Sequence, residues 1–335
     1  MRRKSLIDIR LLLEKAYFIK ESEGLAEGTL YRYRHVHSLF TEFLEKYDYP
    51  LDIRGIDADT CRAFINWVYK ARPKNENHPF KNVESKAKGV SARYVNDIIK
   101  TMKTSFKVLK ENGHISKNPF EKIKPIKQPV EVIQILTPDE LRRLLKQPDR
   151  TRYAPFRDYV LITFMLDTMC RVSEALNLTK YDIDFDAKTV VFHGENVKTR
   201  RGRIVPIQAR TARLLRELLI EIQDFDTDFI FVTNNGSKYR KDHFRQRLKR
   251  YAEQAGIKKG VYPHLLRHSA ATIYLENGGN IRYLQSILGH VDLRMTTKYT
   301  HLTQKGVKQN HAEFSAMNAV VDNLSRPRKI KRSEK

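Results

Sequence analysis

The sequence predicts a mainly helical protein of two domains, with one small antiparallel β-sheet in the second domain. The chain has 335 residues, which at about 150 residues per domain leaves room for two domains with separate cores. Apolar residues recur at spacings of three and four along most of the chain, which is the period of a helix packed on one side. Short stretches of strand character occur only in the second half.

The first domain, residues 1–117, is predicted to be all-helical. Four helical segments follow one another from Ser5 to about Gly113. The fourth carries an apolar stripe from Val95 to Leu109 and ends at Asn112-Gly113, a frequent signal for the end of a helix. The opposite side of this segment carries lysines at helical spacing: Lys100, Lys103, Lys107 and Lys110.

The charge of the chain indicates the chemistry of its partner. Lysine and arginine number 63 against 39 acidic residues, a formal net charge of +24. Such an excess on a folded protein is typical of nucleic-acid binding, although ribosomal and membrane-surface proteins share it. The lysine row of the fourth segment is therefore either a solvated helix face or a surface that faces DNA phosphates, and the total charge favours the second interpretation.

Residues 118–136 are predicted to be an extended linker. Prolines occur within this segment and just after it, which favours an extended backbone. Its lysines, Lys122 and Lys124 among them, could lie along a phosphate backbone. A helix begins sharply after it, because Thr137 can cap the helix, Pro138 suits the first helical position and Glu140 completes a capping box. A new domain is expected to begin there.

The second domain, residues 137–305, is predicted to mix helices with a few strands. Helices are expected at about 155–176, 209–223, 241–255, 264–277 and 281–289, and strands at Thr189–His193, Arg203–Ile207 and Phe229–Val232. The first two strands flank a basic turn that contains Lys198, Arg200 and Arg201. We predict that this turn contacts DNA.

Several classes of protein are excluded. The two cysteines, Cys61 and Cys170, lie far apart, so neither a disulfide framework nor a Cys-x-x-Cys metal site is expected, and the compartment is predicted to be reducing. No run of about 18 apolar residues occurs, so the sequence contains no candidate membrane span.

Five short stretches carry residues suited to chemistry. They are TMCRVSE at 168–174, VKTR at 197–200, HLLRH at 264–268, LGH at 288–290 and TKYTH at 297–301. In this order they resemble the tyrosine recombinase (phage integrase) family, whose catalytic domain carries Arg, Lys, His-x-x-Arg, His and Tyr. The spacings of 3, 23 and 9 residues from His264 through Arg267 and His290 to Tyr299 match that pattern. By pattern alone, the helical first domain is similar to the family's core-binding (SAM-like) domain.

One position departs from the family pattern. The family usually has glycine between the Thr and the Arg of the first stretch, whereas Met169 and Cys170 stand there in this chain. A positive φ would strain a methionine. We expect an ordinary helical conformation at Met169.

The resemblance implies a role for each residue of the motifs. Strand cleavage by transfer of a phosphodiester to a side-chain oxygen needs a nucleophile, a clamp for the phosphate oxygens and an acid for the leaving 5′-hydroxyl. Tyr299 is the expected nucleophile, Arg171 and Arg267 are the clamp, and Lys198 is the candidate acid. Two further residues, Glu174 and His268, are expected to support their neighbours rather than to react.

The histidines of the motifs could each take more than one role. His264 and His290 can bond to the scissile phosphate or move the tyrosine proton, and the sequence does not assign these roles. His264 and His268 have the spacing of zinc ligands on a helix, but no motif supplies a third ligand. No metal and no cofactor are therefore predicted.

The sequence is interpreted as a site-specific DNA recombinase that cuts and rejoins strands through a 3′-phosphotyrosine bond and a Holliday junction. An integrase or transposase of a mobile element is preferred to an Xer-like resolvase of chromosome dimers. A type IB topoisomerase and a non-catalytic DNA-binding regulator are the less favoured interpretations. The expected partners are duplex recombination sites and further copies of the chain, which are expected to form a tetramer on two sites. The expected location is the bacterial or archaeal cytoplasm, at the nucleoid.

Residues 306–335 are predicted to form a C-terminal helix and a basic tail. Phe314 and Met317 of this helix are predicted to dock on a neighbouring copy.

Overall fold

A computed structural model describes residues 7–72, 89–128, 134–194 and 202–297 of the chain. The chain divides into two compact units, Met1–Glu131 and Val132–Lys335. Among the described residues, no helix combines the length and the apolar character needed to cross a bilayer.

The first unit is a helical bundle. Its helices are α1 (Ile9–Ser22), α2 (Glu27–Lys46), α3 (Ala58–Asn66) and α4 (Ala92–Glu111), with a short 3₁₀ turn at Ile53–Gly55 and a π-helical turn at Trp67–Ala71. Three of the helices begin at a side chain that accepts a backbone N–H of the first turn: Asp8, Asp57 and Ser91. The prediction of four helical segments is confirmed.

Four phenylalanines fill the centre of this bundle. The ring of Phe40 lies 5.0 Å from that of Phe64 and 5.5 Å from that of Phe120, and Phe120 stacks on Phe106 at 5.4 Å. Phe120 therefore returns the chain to the core after α4. The first part of the predicted linker accordingly packs on the first unit, where Lys122 stays exposed.

The second unit surrounds a larger apolar core. Its elements are α5 (Pro138–Leu145), α6 (Tyr153–Thr168), α7 (Val172–Leu176), β1 (Ile183–Asp184), β2 (Thr189–Phe192), β3 (Arg203–Pro206), α8 (Ala209–Glu221), α9 (Lys241–Gln254), α10 (Pro263–Glu276), α11 (Ile281–Leu288) and α12 (Arg294–Thr297). The strands form one antiparallel sheet in the order β1-β2-β3, with Val190 opposite Val205. Fully buried side chains from α6, α8, α9 and α10 pack together with this sheet.

Two predictions for this unit were wrong. The segment Phe229–Val232 does not join the sheet, where β1 takes the third place; Phe229 and Val232 form only isolated bridges. The carbonyl of Val232 instead accepts hydrogen bonds from side chains of α6, the Tyr153 hydroxyl and the Arg157 guanidinium. The helix predicted at 155–176 is interrupted, because α6 ends at Thr168 and α7 begins at Val172.

Candidate active site

The interruption between α6 and α7 comes from Met169, which has a left-handed backbone with φ of 51°. The expectation of an ordinary helical conformation at this residue was therefore wrong. The left-handed turn lets the Met169 N–H donate to the carbonyl of Met165 while the chain leaves the helix. Burial of the methionine side chain against Leu284 and Leu288 opposes the strain of this conformation.

Arg171 occupies the position just before the first turn of α7. Its backbone N–H donates to Glu174 Oε2 at 2.8 Å, and its Nη1 donates to Oε1 of the same carboxylate at 2.7 Å. The Glu174 side chain is only 1% exposed. A single buried carboxylate thus fixes both the backbone and the guanidinium of Arg171.

A second arginine, Arg203 on β3, shares this carboxylate. Its Nη2 donates to Glu174 Oε2 at 2.6 Å and its Nε to the carbonyl of Ile287 at 2.8 Å. The guanidinium also lies 4.4 Å from the centre of the Phe192 ring. The sequence motifs did not identify Arg203. Because side chains alternate along a strand, its place two residues before the buried Val205 could have indicated an inward-pointing arginine.

Glu174 is a buried carboxylate held in its charged form. Burial raises the pKa of Glu174. The hydrogen bonds and charge of Arg203 and the hydrogen bonds of Arg171 lower the pKa by more than burial raises it, so the net pKa lies below its ordinary value. The carboxylate is therefore ionised at neutral pH and can keep both guanidiniums in place.

Arg267 lies on α10 with 3% of its surface exposed. Its Nη1 donates to the carbonyl of Met169 at 2.7 Å, and its Nη2 donates to the carbonyl of Leu288 at 2.8 Å. The same Nη2 lies 3.1 Å from Nε2 of His290. This arginine therefore joins the α6–α7 interruption to the end of α11.

The contacts of His290 define its tautomer. A guanidinium can only donate, so Nε2 of His290 accepts from Arg267. In the neutral imidazole the proton then lies on Nδ1, which contacts the Thr296 hydroxyl at 2.9 Å. Thr296, a buried residue of α12, is a second contact that the sequence motifs did not single out.

Gly289 explains the middle of the Leu-Gly-His motif. Its φ of 63° ends α11 in the left-handed conformation that glycine adopts without strain. A β-carbon at this position would also lie 3.1 Å from Cδ and 3.2 Å from Nη1 of Arg203. Glycine is thus required both by the backbone and by the neighbouring arginine.

The last carbonyls of α11 are all paired. The Gln285 carbonyl accepts from the His290 N–H and the Ser286 carbonyl from the Gly289 N–H, both at 3.1 Å. The two remaining carbonyls, of Ile287 and Leu288, accept from Arg203 and Arg267. Two guanidiniums therefore lie at the negative end of this helix dipole, which favours their positive charge.

The remaining predicted residues of the motifs lie elsewhere on α10 or outside the described residues. His264 is exposed at the start of α10 and His268 is half-buried on the same helix. Within the described part of the chain, no group of three or more His, Cys, Asp or Glu side chains is placed to hold a metal ion. Outside the described residues lie Lys198, Arg200, Arg201, Tyr299, Phe314 and Met317.

The predicted DNA-binding lysines of α4 lie on its outer side. Lys100, Lys107 and Lys110 are exposed and Lys103 is partly exposed. Lys107 pairs with Glu111 at 3.6 Å and Lys110 with Glu121 at 3.7 Å. Part of the positive charge of this row is thus offset by neighbouring carboxylates.

This arrangement links the guanidinium of Arg267 to the segment that carries Arg171, far away in the sequence. Arg267 bonds to the carbonyl of Met169, two residues before Arg171, and the same guanidinium contacts His290. Guanidiniums fixed in this way can bind the oxygens of a phosphate and stabilise the charge that develops there during transfer.

Residues 134–305 match the model of the phage integrase family, and residues 13–125 match that of the phage integrase SAM-like domain. The chain belongs to the phage integrase family. This phage integrase is 33% identical to tyrosine recombinase XerC of Oceanobacillus iheyensis over 299 residues, 87% of this chain and 91% of the relative. It is 30% identical to tyrosine recombinase XerD of Listeria innocua over 304 residues, 89% of this chain and 96% of the relative.

Solved structures show the same fold. The integrase of transposon Tn1549, in complex with a circular intermediate DNA, has a TM-score of 0.71 at 18% identity, covering 92% of this chain and all of that one. The XerH recombinase bound to palindromic difH substrate has a TM-score of 0.67 at 20% identity, covering 90% and 83%. As a member of this family of tyrosine recombinases, the protein is a site-specific DNA recombinase that cleaves and rejoins strands.

Proposed function

We propose that this recombinase cleaves duplex recombination sites with Tyr299 as nucleophile. The phenol oxygen attacks the scissile phosphorus, the bond to the 5′-oxygen breaks, and a 3′-phosphotyrosine bond forms. Lys198 protonates the leaving 5′-oxygen, and a histidine near the phosphate, His264 or His290, accepts the phenol proton. Attack by the 5′-hydroxyl of a partner strand reverses these steps and joins the exchanged strands.

The observation that carries this proposal is the joint placement of Arg171 and Arg267. The first is fixed by buried Glu174 and the second by two backbone carbonyls, so both charges are oriented before DNA binds. Preorganised donors of this kind contribute most where charge develops in a transition state. In this structure His290 orients Arg267 through Nε2, which supports His264 as the group that meets the phosphate or the phenol.

Covalent trapping tests the chemistry. Nicked duplexes of randomised sequence are incubated with the protein in EDTA and denatured in SDS, and the protein-linked DNA is recovered and sequenced. We expect an adduct for the wild type and for Tyr283→Phe, whose exposed tyrosine on α11 serves as the matched control. Tyr299→Phe should form none. A protein that binds duplexes tightly but never forms an adduct would instead favour a DNA-binding regulator.

The biological role remains a proposal with two candidates. A mobile-element integrase or transposase joins two separate DNA molecules, whereas an Xer-like resolvase separates two copies of one site. The similarity to XerC and XerD proteins over nearly the whole chain favours the second candidate. Recombination of the selected sites, placed in direct repeat on one plasmid or on two plasmids, distinguishes these roles. Relaxation of supercoils without exchange would indicate topoisomerase activity.

The assembly is proposed to be a tetramer on two DNA sites. The complexes of the Tn1549 integrase and of XerH with DNA support duplex DNA as the partner. We further propose that 137–305 is the catalytic domain and that 306–335 docks on a neighbouring copy. Deletion of 309–335 should then abolish assembly on DNA; unchanged assembly and activity would contradict docking.

A further inference from the structure

We propose that Arg203 is a positioning residue for strand cleavage, acting through Glu174 on Arg171 and through the end of α11 on His290. This inference rests on the proposed function, because it assigns Arg203 to the same cleavage step. None of the five sequence stretches contains Arg203, and it is not among the residues proposed to touch DNA.

Arg203 connects segments that are remote in the sequence. Its Nη2 meets Glu174, 29 residues earlier, and its Nε meets the carbonyl of Ile287, 84 residues later. The side chain is 7% exposed, so these bonds are shielded from competing water. The two bonds come from different nitrogens of the planar guanidinium and go to different segments, so they fix its orientation as well as its place.

The contacts of Arg203 close a ring around the candidate site. Arg171 bonds to Glu174, Glu174 bonds to Arg203, and Arg203 bonds to the end of α11. Three residues beyond Ile287, His290 contacts Arg267, whose Nη1 bonds to the carbonyl of Met169, beside Cys170 and Arg171. Removing one member of a closed ring releases both of its neighbours, so the loss of Arg203 should displace Arg171 and His290 together.

The remaining nitrogen of Arg203 supports positioning over simple stabilisation. Nη1 is buried and has no hydrogen-bond partner among the described residues. A β-carbon at Gly289 would lie 3.2 Å from it. A buried donor without a partner lowers stability. The guanidinium is therefore held where Glu174 and Ile287 require it, and not where all of its own donors would be paired.

Lysine cannot replace this geometry. Its ammonium keeps the charge and could reach Glu174, but one nitrogen on a flexible stem cannot occupy both positions from which Nε and Nη2 of the guanidinium donate. Arg203→Lys therefore keeps the counter-charge of Glu174 and removes the link to α11. This substitution separates positioning from charge balance more cleanly than a neutral residue would.

The test measures DNA affinity and the single-turnover rate of adduct formation separately, on a nicked duplex that traps the wild type. We expect Arg203→Lys to bind the duplex within about twofold of the wild type, and to form the adduct about 100-fold more slowly at saturating DNA, as expected for a misplaced catalytic group. The matched control is Arg157→Lys, since Arg157 is also a buried arginine, 2.9 Å from the carboxylate of Asp158 but near the start of α6. Its adduct rate should stay within about twofold of the wild type.

A double-mutant cycle tests the route of the effect. If Arg203→Lys acts by losing the link to the end of α11, then combining it with Gly289→Ala, whose β-carbon displaces the same guanidinium, should slow cleavage little more than the slower single variant does. Additive effects, or a rate for Arg203→Lys equal to that of the wild type, would overturn the proposal. If Arg203→Lys does not fold, Gly289→Ala supplies a folded test, because its β-carbon displaces the same guanidinium; an unchanged rate in that variant would overturn the proposal as well. Failure of the wild type to form any adduct would instead refute the proposed function.

Discussion

Met169 holds a backbone conformation that costs a residue with a β-carbon about 1 to 2 kcal/mol. The family pattern has glycine here, and the φ of 51° shows that this chain keeps the glycine geometry with a larger side chain. The methionine packs among Ala271, Leu284 and Leu288, between α10 and α11. Packing therefore takes precedence over local backbone preference at the residue that places Arg171.

Substitutions at Met169 should separate the stabilising effect of its packing from the cost of its backbone strain. We predict that Met169→Gly lowers the free energy of unfolding by about 1 to 3 kcal/mol, because lost packing exceeds the relieved strain. Met169→Ala loses the same packing but keeps the strain, so it should be about 1 kcal/mol less stable than Met169→Gly. At an ordinary helical position the order of these two variants is reversed. Urea unfolding of both variants measures the order, and a more stable alanine variant would contradict the left-handed geometry.

His37 is a buried histidine in the core of the first unit. Its Nε2 contacts the Ser105 hydroxyl at 2.8 Å, and its ring meets that of Tyr33 edge-on at 5.9 Å. Because Ser105 donates its own proton to the carbonyl of Thr101, Nε2 of His37 is the donor in this pair. Burial lowers the pKa of His37 from 6.5 to about 4, so the folded protein keeps this ring neutral.

The stability of the first unit should therefore depend on pH. Between pH 6.5 and pH 4 the unfolded chain binds a proton at His37 that the folded chain does not, so stability falls as the pH falls through this range. The loss from His37 between pH 7 and pH 5 should be about 2 kcal/mol. His37→Gln retains a donor for Ser105 without a titrating group, and should remove that part of the loss. Urea unfolding at both pH values measures it; equal losses in the two proteins would contradict this account.

Individual site residues were predictable where a motif marks them. Arg171, Arg267 and His290 were identified by type and spacing, and the structure joins Arg267 to His290 and to the backbone two residues before Arg171. Arg203 was not identified, because a motif indicates the chemistry of a side chain and not the carbonyl with which it forms a hydrogen bond. Its partner at Ile287 lies 84 residues away, a distance over which spacing gives no information.

The ends of helices were predictable where a local side chain determines them. Thr137 and Glu140 make the predicted capping box at the start of α5. The end of α6 was not predictable in this way, because the sequence continues with helix-compatible residues from Met169 to Leu176. What ends the helix is a tertiary contact: the carbonyl of Met169 is turned to accept from Arg267 on α10.

The ends of α10 and α11 offer a matched pair of glycines. Gly289 and Gly278 both have positive φ after a helix, but a β-carbon at Gly278 meets nothing within 4 Å, whereas at Gly289 it meets Arg203. Gly278→Ala should cost only the backbone strain, about 1 kcal/mol. Gly289→Ala should cost about 1 to 3 kcal/mol more, because it also displaces a buried guanidinium. Thermal unfolding compares them, and equal costs would show that Arg203 does not constrain this turn.

The net charge of +24 predicts that DNA binding will depend steeply on salt. A protein that contacts 6 to 10 phosphates loses about 10³- to 10⁵-fold in affinity between 50 and 200 mM salt. The lysine row of α4 should contribute unequally, because Lys107 and Lys110 have carboxylate partners. Lys100 and Lys103 have no such partner among the described residues.

Charge reversal tests whether these lysines contribute unequally to DNA binding. The double variant Lys100→Glu, Lys103→Glu should weaken binding and lower the slope of log affinity against log salt by about 2. Its matched control, Lys107→Glu with Lys110→Glu, should change the slope by less, since each of these charges is already partly neutralised. Fluorescence anisotropy across a salt series measures both slopes. A larger effect of the control would place the phosphates nearer the end of α4.

Much of the chain's organisation follows from its periodicity. The helical spacing predicts the four helices of the first unit and most of the second, and alternation predicts β2 and β3. The prediction of the third strand was wrong because the strand that takes this place, Ile183–Asp184, is only two residues long and too short to show alternation. Segment 229–232 has the composition of a strand, but its backbone groups bond to backbone groups outside the sheet, of Leu178 and Tyr239, and to side chains of α6.

The chemistry of the covalent bond tests the central claim most directly. The adduct trapped on a nicked duplex is digested with protease, the peptide that carries nucleotides is identified by mass spectrometry, and the released DNA end is tested for labelling by a kinase. The account predicts nucleotides attached to Tyr299 through a 3′-phosphate, with a free 5′-hydroxyl on the released strand. Nucleotides on any other residue, or attachment through a 5′-phosphate that leaves a free 3′-hydroxyl at the cleaved end, would contradict it.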